Sequence, residues 1–111
     1  MKEAGEIIML TYRKRKAFRF DLELKMIEEM TIPTKIREGW GMTHVGSDLL
    51  ISDGSHTLYY VDPKTFEIKD SFDVTDNGNP VSWINELEYI NDKIYANIFT
   101  TNDLIVMDLK G

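Results

Sequence analysis

The chain has 111 residues, a net charge of −6 and no cysteine. That length allows a single domain with an ordinary core. The acidic balance argues against nucleic-acid binding through bulk charge, the missing cysteines exclude disulfides, thiolate metal sites and cysteine nucleophiles, and no apolar run approaches the roughly 20 residues of a membrane helix.

The first residues, Met1 to Ile8, lack the apolar stretch of a signal peptide, and the compartment stays open. Residues 6–12 alternate weakly and read as a strand. Tyr12 to Lys16 is a basic run, read as a solvated hairpin loop against the alternative of a nucleic-acid or targeting patch. Residues 17–21 form the next strand. Over 24–32 the alternation is strict, with Leu24, Met26, Met30 and Ile32 on one face and Lys25, Glu29 and Thr31 on the other, as in a half-exposed outer strand.

Pro33 and Gly39 punctuate the linker that follows. Residues 41–45 read as an inner strand, and 48–53 carry Leu49-Leu50-Ile51, an apolar run suited to a strand covered on both faces. Asp53-Gly54-Ser55-His56 is a turn. Strand 57–62 ends where Pro63 stops ladder pairing, and 66–74 repeats the amphipathic outer strand. Asp76-Asn77-Gly78-Asn79-Pro80 is the strongest turn cluster. Strands 86–90, 93–98 and 103–108 follow, and only 83–87 invites a short turn of helix.

These strands recur. Ile8 to Thr11 falls on Leu49 to Ser52 at a shift of 41, as does Phe18 to Asp21 on Tyr59 to Asp62. Ile94 to Asn97 falls on Leu49 to Ser52 at 45, and Leu104 to Asp108 on Leu58 to Asp62 at 46. A period in the low forties with about four strands per unit marks propeller blades. The expected fold is all-β: about two and a half blades of four-stranded antiparallel sheet, forming one partial propeller domain over 1–111. Its blade parts are 6–32, 39–74 and 85–108. The chain is expected to start at the second strand of one blade and stop after the third strand of another. The uncovered blade edges would make it prone to self-association.

Few residues carry chemistry on spacing alone. His44 and His56 lie 12 apart without carboxylates at ligand spacing, so no metal site is expected. Glu86 and Glu88 share one strand face, either as paired carboxylates or as a solvated edge. Ser52, Ser55 and Ser82 lie in no nucleophile elbow, and Gly39-Trp40-Gly41-Met42 lacks the lysine and helix of a phosphate loop. Position says more. The blade shifts set Trp40 opposite Asn85, both just before an innermost strand, while Tyr12 and Phe99 end second strands. Three aromatics and an amide make a small polar-ligand pocket, or else packing between blades.

Glu38-Gly39-Trp40-Gly41-Met42-Thr43, Ser52 to Ser55, Leu58 to Pro63, Asn85-Glu86-Leu87-Glu88-Tyr89-Ile90 and Ile94 to Asn97 together resemble the plant and bacterial glutaminyl-peptide cyclotransferases. The resemblance spans about Ile7 to Asp108 and implies a five-bladed propeller. It also implies an acyltransferase that turns an N-terminal glutamine into pyroglutamate with release of ammonia. The partner it implies is a peptide or protein N-terminus, with no cofactor, metal, nucleic acid or membrane. Trp40 and Asn85 match pocket residues of that family. Phe99 and Tyr12 stand where it usually has tryptophan, which keeps an aromatic wall but loses an indole donor. The family's catalytic glutamate, in a Glu-Ser-Thr-Gly-like stretch, and a later lysine have no counterpart in residues 1–111. No catalytic residue is therefore assigned, and neither Glu86 nor Glu88 matches the position. The alternative readings are a non-catalytic propeller segment that binds protein, a degenerate fragment, and a self-assembling blade pair.

Overall fold

The computed structural model of the chain describes residues 2–3, 6–10, 16–33, 35–36, 38–99, 101 and 103–109. Every described element is a strand. The first sheet holds β1 (Lys2–Glu3), β2 (Glu6–Leu10), β3 (Lys16–Asp21) and β4 (Met26–Thr31). The second holds β5 (Gly41–Val45), β6 (Asp48–Ser52), β7 (Thr57–Val61) and β8 (Ile68–Asp73). A short hairpin, β9 (Thr75–Asp76) with β10 (Asn79–Pro80), leads to a third sheet of β11 (Ile84–Ile90), β12 (Lys93–Ile98) and β13 (Leu104–Met107). Within each sheet the strands follow chain order and every neighbour is antiparallel. These are propeller blades. Among the described residues no helix is long and apolar enough to cross a membrane.

Two cores hold the sheets together. Ile8, Ala17 and Met30 of the first sheet meet Leu49, Ile51 and Val61 of the second. On the other side, Leu50 and Leu58 of the second meet Ile94, Ala96 and Met107 of the third. The consecutive run Leu49-Leu50-Ile51 is wholly buried because alternate side chains enter different cores. Each such side chain contributes about 1.5–3 kcal/mol. The outward faces of the end sheets are open, with Met9 47%, Leu104 65% and Val106 54% exposed.

Four expectations change. A two-residue strand, β1, pairs ahead of β2, so the first sheet has four strands and does not begin at its second. The repeat is also out by one in β2. Ala17 pairs with Leu10 and Leu58 pairs with Ser52, which places Ile8 on Leu50 rather than on Leu49. The first hairpin has six residues between those pairs (11–16) where the second has five (53–57). A one-residue slip exchanges the faces. Ile8 therefore enters the core, and Met9 points outward.

The third change concerns residues 83–87, where no helix forms: 84–87 belong to β11, and Trp83 precedes it. Ile84 pairs with Ile98 and Leu87 with Ala96, so Asn85 and Glu86 together oppose Asn97 in a β-bulge. The Asn97 side-chain oxygen accepts the Glu86 N–H at 2.9 Å. The bulge puts two buried residues, Ile84 and Leu87, three apart, and that spacing imitates a helical stripe. In β4, likewise, only Met30 and Ile32 of the expected apolar face are buried. Met26 is 60% exposed, because a register shift between Arg19 and Phe20 breaks the alternation.

The turn into the outer strand repeats in structure more faithfully than in sequence. Leu24 (φ 67°) and Phe66 (φ 61°) both adopt the left-handed conformation. In each turn one aspartate anchors the backbone: Asp21 accepts from Glu23 N and Lys25 N, and Asp62 accepts from Lys64 N and Thr65 N. Those two amides hold the Asp62 carboxyl below its ordinary 3.8. A lowered carboxyl stabilises the fold in full above its unfolded value, and the contribution disappears as pH falls through the lower folded value. Asp62→Asn should therefore destabilise the chain near neutral pH and narrow the gap to wild type in acid. Thermal unfolding of both proteins from about pH 6 to about pH 2 checks this; a gap that stays constant would contradict it.

Adjacent sheets are also tied edge to edge. The Arg19 guanidinium, buried on β3, donates across to the backbone carbonyl of Pro63. Tyr60 stands 41 residues on from Arg19, and its hydroxyl donates to the carbonyl of Leu109 at 2.7 Å, 46 residues on from Pro63. Burial, with Asp70 and Asp48 nearby, raises the Tyr60 pKa above 10.0 and keeps the hydroxyl protonated as donor. The same latch is thus made by a guanidinium at one junction and a phenol at the next.

Candidate functional site

At the end of the sheets reached by the linkers into β5 and β11, three aromatic rings converge. Trp40, directly before β5, meets Phe99 edge-on, with centroids 5.1 Å apart at 68°. Trp83, just before β11, lies 6.1 Å from Trp40 and stacks nearly parallel on Phe99, at 6.3 Å and 11°. The backbone explains the convergence. The Trp40 N–H donates to Ser52 O at 3.1 Å. The Trp83 N–H donates to Gly54 O at 3.0 Å, and the Trp83 carbonyl accepts from Phe99 N at 2.8 Å. One short segment, 52–54, therefore carries both tryptophans.

Two glycines make this approach feasible. Gly54, at φ 85°, lies under the Trp40 indole, where an added Cβ would come within 2.7 Å of two ring carbons. Its loop is held by Asp53, which accepts from Ser55 N at 3.1 Å and Ser55 Oγ at 2.5 Å, while Ser55 Oγ accepts Thr57 N at 3.1 Å. Gly41 lies where β5 meets β11, and a Cβ there would overlap the carbonyl oxygen of Asn85 and lie 2.9 Å from Glu86 Cα. Ser52 Oγ donates to that same Asn85 carbonyl at 2.5 Å. Asn85 is thus fixed from two sides, and it sits in the bulge, where a side chain is turned out of the regular ladder.

A cavity of about 670 Å³ opens beside Trp40, between β2 and β3 of the first sheet and Gly41, Met42, Glu86 and Leu87 of β5 and β11. Its walls are mostly apolar with a carboxylate at one side, the composition of a small-ligand site. Glu86 and Glu88 are both exposed, on the strand face opposite buried Leu87.

Of the expected binding residues, Trp40 and Phe99 are in contact. Asn85 lies beside them, within β11 rather than ahead of it. Tyr12 falls outside the described residues. His44 lies on β5, and His56 reaches Asp73 at 3.8 Å; among the described residues no group of three or more potential ligands could hold a metal. Sequence reasoning missed Trp83. Its signal was a second tryptophan two residues ahead of Asn85, hidden by the helical reading of 83–87.

The family model for glutamine cyclotransferase matches residues 2–111. A glutaminyl-peptide cyclotransferase of Arabidopsis thaliana is 42% identical over 67 residues, 60% of this chain and 21% of that protein. The crystal structure of Myxococcus xanthus glutaminyl cyclase superposes with a TM-score of 0.88 at 29% identity, over 96% of this chain and 45% of that one. The chain therefore spans about a fifth of the curated relative and less than half of the solved structure.

Proposed function

The chain belongs to the glutamine cyclotransferase family, and from that premise we propose that residues 1–111 supply one wall of a pocket that binds an N-terminal glutamine for cyclisation to pyroglutamate. The observation that carries this reading is the aromatic cluster of Trp40, Trp83 and Phe99 beside the bulged Asn85. In the reaction, the α-amine nitrogen forms a bond to the γ-carboxamide carbon, the bond to the amide nitrogen breaks, and ammonia leaves with the proton that the amine gives up. The chain end must be held bent with amine and carboxamide in contact, which an apolar wall does by confinement. Asn85 offers one amide that both donates and accepts, matched to the substrate's own amide. Proton transfer is general acid–base work and is assigned to neither Glu86 nor Glu88. The unit is one partial propeller domain whose blade strands run over 2–31, 41–73 and 84–107.

Calorimetric titration with a Gln-initiated and an Asn-initiated peptide tests the binding role. The Gln peptide should bind more tightly. Trp40→Ala and Asn85→Ala should each weaken it by about tenfold or more, roughly 1.4 kcal/mol. Equal binding of the two peptides, or variants indistinguishable from wild type, would sink the assignment.

A second reading, a propeller segment that associates with protein, is favoured by the exposed Leu104 and Val106 on the outer face of the third sheet. It predicts a concentration-dependent oligomer in sedimentation that Val106→Lys returns to monomer.

A further inference from the structure

We propose that Trp83 and Phe99 form the subsite for the side chain that follows the glutamine, and that this subsite favours broad apolar residues. The proposal rests on the reading of Trp40 and Asn85 as the glutamine end of the pocket.

Trp83 is held in an unfavourable backbone conformation. Its φ is 65°, and a left-handed conformation costs a bulky residue about 1–2 kcal/mol. It persists because both backbone groups are bonded, the N–H to Gly54 and the carbonyl to Phe99. Yet the residue so held is 55% exposed, and its partner Phe99 is 43% exposed. Strain at an overdetermined residue whose ring is left in water points to a ligand surface rather than to core packing. The two rings lie 11° from parallel, and each leaves about half its surface open to a ligand. Their broad apolar faces favour an apolar or aromatic group.

Reach agrees. Asn85 is two residues on from Trp83, which directly precedes β11, a separation of at most about 7 Å between the two Cα atoms. A glutamine bent onto its own amine has only its carbonyl left to leave the pocket by. The next Cα follows about 3.8 Å on, and its side chain spans the remainder. The second residue of the substrate therefore falls at the Trp83–Phe99 platform.

Four dipeptide amides test this by calorimetry on the chain: Gln-Phe, Gln-Ala, Asn-Phe and Asn-Ala. Wild type should bind Gln-Phe about three- to tenfold more tightly than Gln-Ala. Trp83→Gly removes the ring while relieving the positive φ, which offsets the lost contacts with Trp40 and Phe99, so the chain should still fold and that ratio should fall to about one. Trp83→Phe should keep part of it. A Phe-over-Ala ratio near one in wild type, or one unchanged in Trp83→Gly, overturns the subsite. If Gln and Asn peptides bind alike but the Phe preference still depends on Trp83, the subsite stands and the glutamine pocket falls. No binding of any of the four overturns both.

Discussion

Gly41→Ala is expected to break the junction between the second and third sheets and to abolish binding of a Gln-initiated peptide. The added Cβ would overlap the Asn85 carbonyl oxygen and approach Glu86 Cα at 2.9 Å. Both are backbone atoms, so no side chain can rotate away. Overpacking typically costs about 1–3 kcal/mol where side chains yield; here the cost should reach about 3 kcal/mol or more. For a chain of this size that lowers the unfolding midpoint by more than about 10 °C. The same displacement takes the Asn85 carbonyl off Ser52 Oγ and moves the bulge that sets the Asn85 side chain. Gly46→Ala is the control. Gly46, unlike Gly41, has a positive φ, 61°, and nothing lies within 4 Å of its missing Cβ, so that variant reports conformational strain alone, about 1 kcal/mol. Thermal unfolding of the two variants decides the matter. A Gly41→Ala loss no larger than that of Gly46→Ala would show that β5 and β11 do not meet as closely as described.

The sequence announced its strands because each lies between unlike surroundings. Leu49-Leu50-Ile51 feeds two cores, so an unbroken apolar run and burial agree there, whereas the outer strands lose their alternation at register shifts. The repeat was legible for the same reason, and the glutamine cyclotransferase resemblance followed from Gly39-Trp40-Gly41 and Asn85 to Ile90. What stayed hidden was whatever depends on a single inserted residue. A longer first hairpin moved Ile8 and Met9 to opposite faces, and the bulge at Asn85–Glu86 turned a strand into an apparent helical stripe. Bulges and loop lengths leave almost no compositional trace, although they decide where a side chain points. The proposed site was half visible on those grounds. Trp40, Phe99 and Asn85 could be placed by their blade positions. Trp83 could not, because its role comes from a left-handed backbone fixed by Gly54 and Phe99, partners 29 and 16 residues away.

Gly54→Ala should show how far the pocket depends on that fixing. Two penalties act together. At φ 85° alanine takes on about 1–2 kcal/mol of left-handed strain. Its methyl would also lie 2.7 Å from the Trp40 ring carbons, which forces the indole to lift. A lifted indole loses its edge-on contact with Phe99, worth about 0.5–1.5 kcal/mol. The sum, about 2–3 kcal/mol, makes this the second largest effect after Gly41→Ala. It should leave the ladder between β6 and β7 paired, since residues 53–56 lie outside that pairing. The expected result is a chain that remains folded by far-ultraviolet circular dichroism. Its near-ultraviolet tryptophan signal should change, and its affinity for a Gln-initiated peptide should fall about tenfold or more. Trp40→Phe, which keeps an aromatic face but shortens the ring, should relieve part of the clash, so Gly54→Ala combined with Trp40→Phe should be less destabilised than the two separate losses added together. Strict additivity would mean that the Gly54 methyl and the Trp40 ring do not meet, and the account of Gly54 as the seat of the aromatic cluster would have to be given up.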